Sequence, residues 1–418
     1  MKNRKRIAYR TSVLITLLVV LTIASSRIQA QFQAEDAGAC GTVSVTLPFT
    51  DVAGSGFFCT IAEAYFSVLT NGTDATHYSP SANVTRDQMS AFITRTQDSA
   101  LRRGSRRAAL GQWATPSSFS ASALTTLGSS PNSVQSDGAD LWVTSLNGDS
   151  VSRVRASDGK LLDTYTGTTD AYAVLVARGL IYVTGLNTHS LYSINPRLTP
   201  GSPGAVTTVT TQLGTSPVGI TTDGTYIWTA NLSGSVSKVN LNDGSVQTFA
   251  HAGNLRGIIH DGANIWVTNL TSGSLLMLNT TGNLVLQSIY MDGGPGSPTF
   301  DGTNIWVPIV NGNSVKVVRV KDASGDSLPQ PPAANAPFVV ATLTSNGLNQ
   351  PLAAAFDGQR VLVTNSASDQ GVSLWKAANL SPLGFCRSPA GSIPQGACSD
   401  GINFWIALWS GTNSLAKF

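Results

Sequence analysis

The chain has 418 residues, of which 42% are hydrophobic, 12% are charged and 40 are glycine. This composition excludes an intrinsically disordered chain, and the length predicts one large domain plus a small one. Lysine and arginine number 26 against 23 acidic residues, but six of the basic residues lie in the first 30. The rest of the chain is slightly acidic, so we predict no nucleic-acid partner, since such binding needs a concentrated basic surface.

The first 30 residues have the pattern of a secretory signal peptide. Basic residues are followed by the apolar run 13–24 and by the small residue Ala30. Twelve apolar residues in a helix cover about 18 Å, less than the hydrocarbon core of about 30 Å. We therefore predict a cleaved signal peptide over residues 1–30, no transmembrane span after cleavage, and a secreted protein located at the cell surface, in the cell wall or in the periplasm.

Four cysteines follow, and outside the cytoplasm they can oxidise in pairs. Cys40 with Cys59, and Cys386 with Cys398, are the nearest pairs in the sequence. We predict these two disulfides, although four cysteines permit three pairings and each pair could instead be buried thiols.

Residues 31–110 form the predicted small module, in which the pattern is helical from Cys40 to about Leu110, and a linker over residues 111–117 joins the module to the rest. Apolar residues recur at helical spacing between Phe57 and Leu69. A second helix is predicted to begin at Thr85, where Gln88 has the spacing of a capping box. Its apolar residues are expected to face inward: Met89, Phe92 and Ile93.

Short motifs in this module occur in a fixed order: Phe49-Thr50-Asp51-Val52, Leu69-Thr70-Asn71-Gly72, Tyr78-Ser79-Pro80 and Val84-Thr85-Arg86-Asp87-Gln88-Met89. Between Phe49 and Arg95 the chain resembles an S-layer homology module. The resemblance implies noncovalent attachment to cell-wall polysaccharide or peptidoglycan, with Arg86 at the position of the family's binding arginine. The alternative is that Arg86 is a solvated first-turn residue.

An arginine cluster follows the second helix: Arg102, Arg103, Arg106 and Arg107. Such a cluster would attract an anionic cell-wall polymer, and the alternative is a solvated helix end.

From residue 118 to 418 the sequence is a repeat. Seven units contain a turn, usually Asp-Gly, followed by an apolar-aromatic-Val-Thr strand, and their marker positions are 38 to 56 residues apart: Trp142, Tyr182, Trp228, Trp266, Trp306, Leu362 and Trp405. This period is typical of four-stranded propeller blades, and a fixed place in every blade predicts that the markers pack in the core. Asp-Gly favours a primed hairpin turn, in which both central residues have positive φ.

The chain ends after the third strand of the seventh unit, while an unassigned strand near residues 123–128 precedes the first unit. We predict that this strand completes the last blade and closes the ring. Strands such as Ile265-Trp266-Val267-Thr268-Asn269 resemble the Tyr-Val-Thr-Asn β-propeller repeat family. The predicted fold is therefore mainly β: a seven-bladed β-propeller with a small N-terminal helical module.

Candidate catalytic groups are few in residues 118–418, which contain no glutamate. The Asp-x-Asp-x-Asp spacing typical of a calcium-binding loop is absent from this sequence. We predict no metal, no other cofactor and no catalytic residues. The expected function is that of a surface binding protein, anchored through the module and presenting propeller loops to a protein or glycan. One alternative is a propeller lyase or hydrolase that uses His251 or His260 as a base, and another is a purely structural envelope-layer protein.

Overall fold

The computed structural model describes residues 36–41, 43–67, 69–102, 123–279, 281–320, 339–367 and 371–418. The predicted signal peptide, the predicted linker and three arginines of the cluster lie outside the described residues: Arg103, Arg106 and Arg107. No helix among the described residues is long and apolar enough to cross a membrane.

Two strands and two helices precede the repeat, and a short strand then leads into it. These elements are β1 (Asp36–Cys40), β2 (Val43–Leu47), α1 (Phe58–Phe66), α2 (Arg86–Arg102) and β3 (Ala123–Thr126).

The repeat forms seven antiparallel sheets, and in blades one to six the four propeller strands are consecutive in the chain. Blade one comprises β4 (Pro131–Ser136), β5 (Asp140–Ser145), β6 (Ser150–Arg155) and β7 (Leu161–Thr166); blade two, β8 (Ala171–Ala177), β9 (Leu180–Gly185), β10 (Ser190–Ile194) and β11 (Val206–Thr210); blade three, β12 (Pro217–Thr222), β13 (Tyr226–Asn231), β14 (Ser235–Asn240) and β15 (Val246–Ala250); and blade four, β16 (Leu255–His260), β17 (Ile265–Asn269), β18 (Ser274–Leu278) and β19 (Val285–Tyr290).

The remaining three blades follow the same order. Blade five comprises β20 (Thr299–Phe300), β21 (Asn304–Ile309), β22 (Ser314–Arg319) and β23 (Val339–Leu343); blade six, β24 (Pro351–Phe356), β25 (Arg360–Asn365), β26 (Gly371–Lys376) and β27 (Pro382–Arg387); and blade seven, β28 (Pro394–Ser399), β29 (Phe404–Leu408) and β30 (Ser414–Lys417). The early strand β3 is the fourth strand of blade seven, where Leu124 pairs with Ala416. The predicted seven-bladed propeller is confirmed.

The marker side chains form the cores between blades, as predicted. All seven are at most 5% exposed, and the five marker tryptophans are at most 1% exposed. Each marker therefore packs against neighbouring sheets, which holds the ring together.

The hairpin turns differ from the prediction. In the six Asp-Gly turns that precede the marker strands, only the glycine has positive φ, between 88° and 96°. The primed turn forms instead at Arg178-Gly179, where φ is 49° and 75°. The reason is loop length, because Arg178-Gly179 is a complete two-residue loop, whereas the Asp-Gly loops contain three or four residues and need a left-handed residue only at glycine.

The N-terminal hairpin extends blade five. Strand β2 pairs with the outer strand β23 at Val45 and Ala341, so that β1 and β2 make this sheet six-stranded. The predicted disulfide between Cys40 and Cys59 is confirmed and joins β1 to α1. Helix α1 buries an apolar face in a hydrophobic cluster shared with blades five and six, and Phe66 is fully buried there.

Two polar contacts also connect α1 to the propeller. The Arg319 guanidinium lies 4.1 Å from the centre of the Tyr65 ring and donates to the Tyr65 carbonyl at 3.2 Å. The Lys376 ammonium lies 3.2 Å from a carboxylate oxygen of Glu63. The hairpin and α1 therefore pack directly on the propeller.

Helix α2 confirms one prediction and contradicts another. The capping box is present, because the Thr85 amide donates to Gln88 Oε1 at 2.9 Å and the Gln88 amide donates to Thr85 Oγ1 at 3.2 Å. The inward orientation is wrong, since Met89 is 50% exposed and Ile93 is 62% exposed. Helical spacing identifies an apolar stripe but not whether another element covers it.

The predicted disulfide between Cys386 and Cys398 is wrong, because these residues are not bonded to each other. Cys386 lies on β27, the outermost strand of blade six, whereas Cys398 lies on β28, the innermost strand of blade seven. Three strand spacings amount to about 14 Å, so residues close in sequence lie at opposite edges of adjacent blades. Burial of Cys398 raises the pKa of its thiol far above the usual range.

The threonine of the repeated strand connects one blade to the next. Its hydroxyl donates to a carbonyl in, or just before, the inner strand of the following blade in three places: Thr144 to Tyr172 (2.8 Å), Thr268 to Gly296 (3.0 Å) and Thr364 to Gln395 (2.8 Å). In blade four the same hydroxyl accepts a hydrogen bond from the Gly257 amide at 2.8 Å. In these three blades the threonine therefore ties its own blade to the inner part of the next one.

Replacing Thr268 with valine is expected to lower the free energy of unfolding by about 1–3 kcal/mol. Valine preserves the shape but leaves the Gly257 amide and the Gly296 carbonyl without the hydroxyl that pairs them. Denaturant titration measures the change. The matched control Thr199→Val, at an exposed loop position, should change stability by no more than roughly 0.5 kcal/mol. Equal effects of the two substitutions would contradict the assigned role.

Candidate functional site

The inner strands line a central channel and share a local irregularity. Six of the seven inner strands, those of every blade except five, shift register against their neighbours near their first residues. Such bulges re-aim side chains and often occur beside functional sites. In blade four the shift lies between Leu255 and Ile258, so Arg256 and Gly257 form the bulge.

The bulged residues surround a cavity of about 190 Å³. Seven polar residues line it: Asn132, Ser133, Gln135, Tyr172, Arg256, Ser297 and Gln395. The side chains of Asn132, Ser133 and Gln135 are hydrogen-bonded to backbone groups of blade two. Small and apolar residues, such as Val218 and Leu352, complete the wall. Among the described residues that line the cavity, Arg256 is the one charged residue and none carries a carboxylate.

Arg256 is held by the close approach of neighbouring strands. The Arg256 carbonyl occupies the space where a side chain at Gly219 of blade three would begin, and Pro298 of blade five similarly fills the space beside Gly257. Glycine at these two positions allows the inner strands to approach closely. Arg256 is partly buried, and its guanidinium has no hydrogen bond or ion pair with any described residue.

The aspartates of the repeated turns serve the scaffold. One oxygen of each carboxylate accepts hydrogen bonds from backbone amides of the turn. The other oxygen accepts a hydrogen bond from the indole N–H of the marker tryptophan five residues later. The five donor–acceptor pairs are Trp142 and Asp137 (2.9 Å), Trp228 and Asp223 (2.8 Å), Trp266 and Asp261 (2.8 Å), Trp306 and Asp301 (2.9 Å), and Trp405 and Asp400 (3.0 Å). Partial burial raises the pKa of Asp223, but donation from the Tyr226 amide and the Trp228 indole outweighs it, so the pKa falls below the usual range. In blade six, Arg360 takes the indole's place, 2.7 Å from Asp357.

Cations also stack on marker rings from the adjacent strand. Lys238 lies 4.7 Å from the Trp228 ring centre, and Arg153 lies 5.5 Å from that of Trp142. Arg153 also pairs with Asp140 at 2.6 Å. These cations stabilise the core aromatics and are not directed to the channel.

A wider groove of about 540 Å³ lies between blades one and seven. Its lining includes Asp140, Arg155 and Asp400. Each already has a partner, because Asp140 pairs with Arg153, Arg155 with Asp158 at 3.0 Å, and Asp400 with Trp405. The charged groups of this groove named here therefore all have hydrogen-bond or ion-pair partners.

The two histidines of the enzyme alternative are not brought together. His251 Nε2 donates to the Gly282 carbonyl at 2.9 Å, and Gly282 lies in the loop before β19, the outermost strand of blade four. His260 ends β16 and contributes to the lowered pKa of Asp223 in the turn of blade three. The six-residue strand between them is about 20 Å long, and neither histidine lines the channel cavity. Among the described residues, no group of three His, Cys, Asp or Glu side chains could hold a metal ion.

The polymer-binding candidates lie far from this channel in the sequence. Arg86 is the first residue of α2 and is exposed, next to Asp87. Arg102 is the last residue of the same helix.

Solved structures with the same fold support this architecture. A streptogramin B lyase structure is 18% identical with a TM-score of 0.54, covering 71% of this chain and 96% of that chain. The β-propeller domain of Cps50 (Swd1) from Myceliophteria thermophila is 10% identical with a TM-score of 0.55, covering 71% and 99%. Hydrazine synthase from Kuenenia stuttgartiensis is 17% identical with a TM-score of 0.52, covering 70% and 97%. These similarities show the propeller fold alone. No protein-family model and no curated protein matches the chain.

Proposed function

We propose that this chain is a secreted binding protein of the bacterial envelope, not an enzyme, whose propeller holds a ligand and whose N-terminal module holds cell-wall polymer. One observation supports the binding role above others: the turn carboxylates are engaged by amides and indoles, whereas four polar residues of the channel lining have side chains without a hydrogen bond to any described residue: Tyr172, Arg256, Ser297 and Gln395. Such a division leaves recognition to the channel and the loops.

The anchoring role rests on Arg86. Its side chain is exposed at the first residue of α2, where a guanidinium can bind a carboxylate or a ketal acid of a polymer with two parallel hydrogen bonds. The hairpin and α1 pack on blades five and six, so a polymer held near this module would lie close to the propeller. The arginines that follow α2 would add a nonspecific attraction to an anionic polymer.

Co-sedimentation with bacterial cell-wall sacculi tests the anchor. The secreted chain, residues 31–418, should pellet with sacculi at low and moderate salt, and Arg86→Ala should remove most of that binding. Arg197→Ala, at an exposed arginine of the propeller, is the matched control and should bind as the wild type does.

Two other outcomes would overturn the anchoring role of Arg86. Binding that survives Arg86→Ala but disappears with salt would assign attachment to the cluster Arg102, Arg103, Arg106 and Arg107, because exposed charge pairs are screened by salt. Absence of binding would make the module an assembly element, and ordered self-association of the purified chain would then support an envelope-layer protein.

A further inference from the structure

We propose that the central channel binds a small ligand with a carboxylate or phosphate group, and that Arg256 holds this group. The inference deepens the proposed ligand-binding role of the propeller and does not depend on cell-wall anchoring. It rests on the charge, the hydrogen-bonding groups and the size of the cavity.

The charge of the cavity is uncompensated. Arg256 is the one ionised group in the lining, and its guanidinium has no anionic partner among the described residues. A partly buried cation loses hydration, and this cost is offset when an anion pairs with it. Guanidinium also matches carboxylate and phosphate oxygens in a two-bond geometry.

Further hydrogen-bonding groups face the same cavity. The residues Tyr172, Ser297 and Gln395 line it, and their side chains make no hydrogen bond with any described residue. By blade order, Ser297 belongs to the blade next to Arg256, whereas Gln395 belongs to blade seven, across the ring. An anionic group at Arg256 therefore has a hydroxyl beside it, and the rest of the ligand faces an amide on the opposite wall.

The size of the cavity limits the ligand. Its volume of about 190 Å³ is below the roughly 300–1,000 Å³ of clefts that hold drug-sized ligands. The apolar residues Val218 and Leu352 lie between the polar ones. A short organic acid or a small phosphate compound meets these limits, whereas a polysaccharide chain does not.

Binding of matched probes to the secreted chain, without sacculi, tests the proposal. Propionate, its neutral isostere propionamide and inorganic phosphate are titrated by calorimetry and by NMR of the arginine Nε–H signals. Propionate or phosphate should bind and propionamide should not. Arg256→Gln should weaken binding at least tenfold, Arg256→Lys should bind with intermediate affinity because it keeps the charge but not the fork, and Arg197→Gln should bind as the wild type does.

Three results would overturn the proposal. The first is equal binding of propionate and propionamide by the wild type. The second is equal binding of either anion by the wild type and Arg256→Gln. The third is the absence of anion binding at about 10 mM, a concentration at which a site with a Kd of about 1 mM would be nearly saturated. The isostere comparison uses the wild type alone and remains decisive if a variant fails to fold. Failure here would leave a sacculus-binding result intact, so the channel proposal and the anchor proposal are separable.

Discussion

Replacing Trp306 with alanine is expected to lower the free energy of unfolding by about 3–5 kcal/mol, the range for truncating a fully buried tryptophan. Trp306 is 0% exposed and belongs to the hydrophobic cluster that contains Phe49 and Phe66 of the N-terminal segment and Trp375 of blade six. The substitution leaves a cavity where three parts of the molecule meet. It also removes the indole that donates to the fully buried carboxylate of Asp301.

Two further variants separate these contributions. Trp306→Phe retains most of the ring volume and removes the indole N–H, so it should cost about 1–3 kcal/mol, the price of a buried acceptor that loses one donor. Trp409→Ala, at a partly exposed tryptophan outside the marker positions, should cost less than either. Chemical denaturation followed by tryptophan fluorescence and circular dichroism measures all three. A loss from Trp306→Ala no larger than that from Trp409→Ala would contradict the core role of the marker.

The ring could be predicted from the sequence because its determinants are local and repeated. Each unit places a turn, a marker such as Trp228 and a Ser-aliphatic strand in the same order, and a repeat of about 40 residues matches one blade. The burial of the markers followed from their constant register. Both predictions depend on patterns that recur seven times, so an exception such as Leu362 does not obscure them.

The pairing of aspartate with tryptophan could have been predicted from their constant spacing in the sequence, but the turn preference of Asp-Gly already accounted for the aspartate. Asp261 and Trp266, like the corresponding residues of four other units, are five positions apart. Asp-Gly explains the turn without further contacts, so the second carboxylate oxygen and its indole partner were missed. In blade six the second oxygen of the turn carboxylate also has a donor. Leu362 stands at the marker position and has no indole, and the Arg360 guanidinium donates to Asp357 instead.

Other features could not be predicted because they depend on distances across the fold. The sequence shows Cys386 and Cys398 as neighbours, but it does not show that they lie on an outer and an inner strand. The uncompensated charge of Arg256 likewise depends on what six other inner strands bring to the channel. Whether another element packs on the apolar face of a helix also depends on residues distant in the sequence. For this reason Met89 was predicted to be buried but is exposed.

Reducing the disulfide between Cys40 and Cys59 is expected to destabilise the N-terminal segment and blade five without opening the whole ring. The bridge joins residues 19 positions apart, and closing a loop of this size contributes about 3 kcal/mol. Among the described residues, one ladder pair, Val45 with Ala341, joins β2 to β23, so the attachment of the hairpin to blade five also depends on the bridge and on the shared apolar cluster. Hydrogen exchange should therefore accelerate in β1, β2 and α1, and more weakly in β23.

The paired substitution Cys40→Ser with Cys59→Ser should reproduce the effect of a reductant, and a reductant added to that variant should have no further effect. Exchange in blades one to three should stay unchanged, because the described contacts of the hairpin and α1 are with blades five and six. Cys386→Ser is the control at a partly buried cysteine outside the bridge, and it should leave the response to reductant as in the wild type. A response that persists in the Cys40→Ser, Cys59→Ser variant would contradict the assignment of a single bridge among the described cysteines. Uniform acceleration in every blade would instead show that the hairpin stabilises ring closure, which the pairing of β3 with β30 supplies in blade seven.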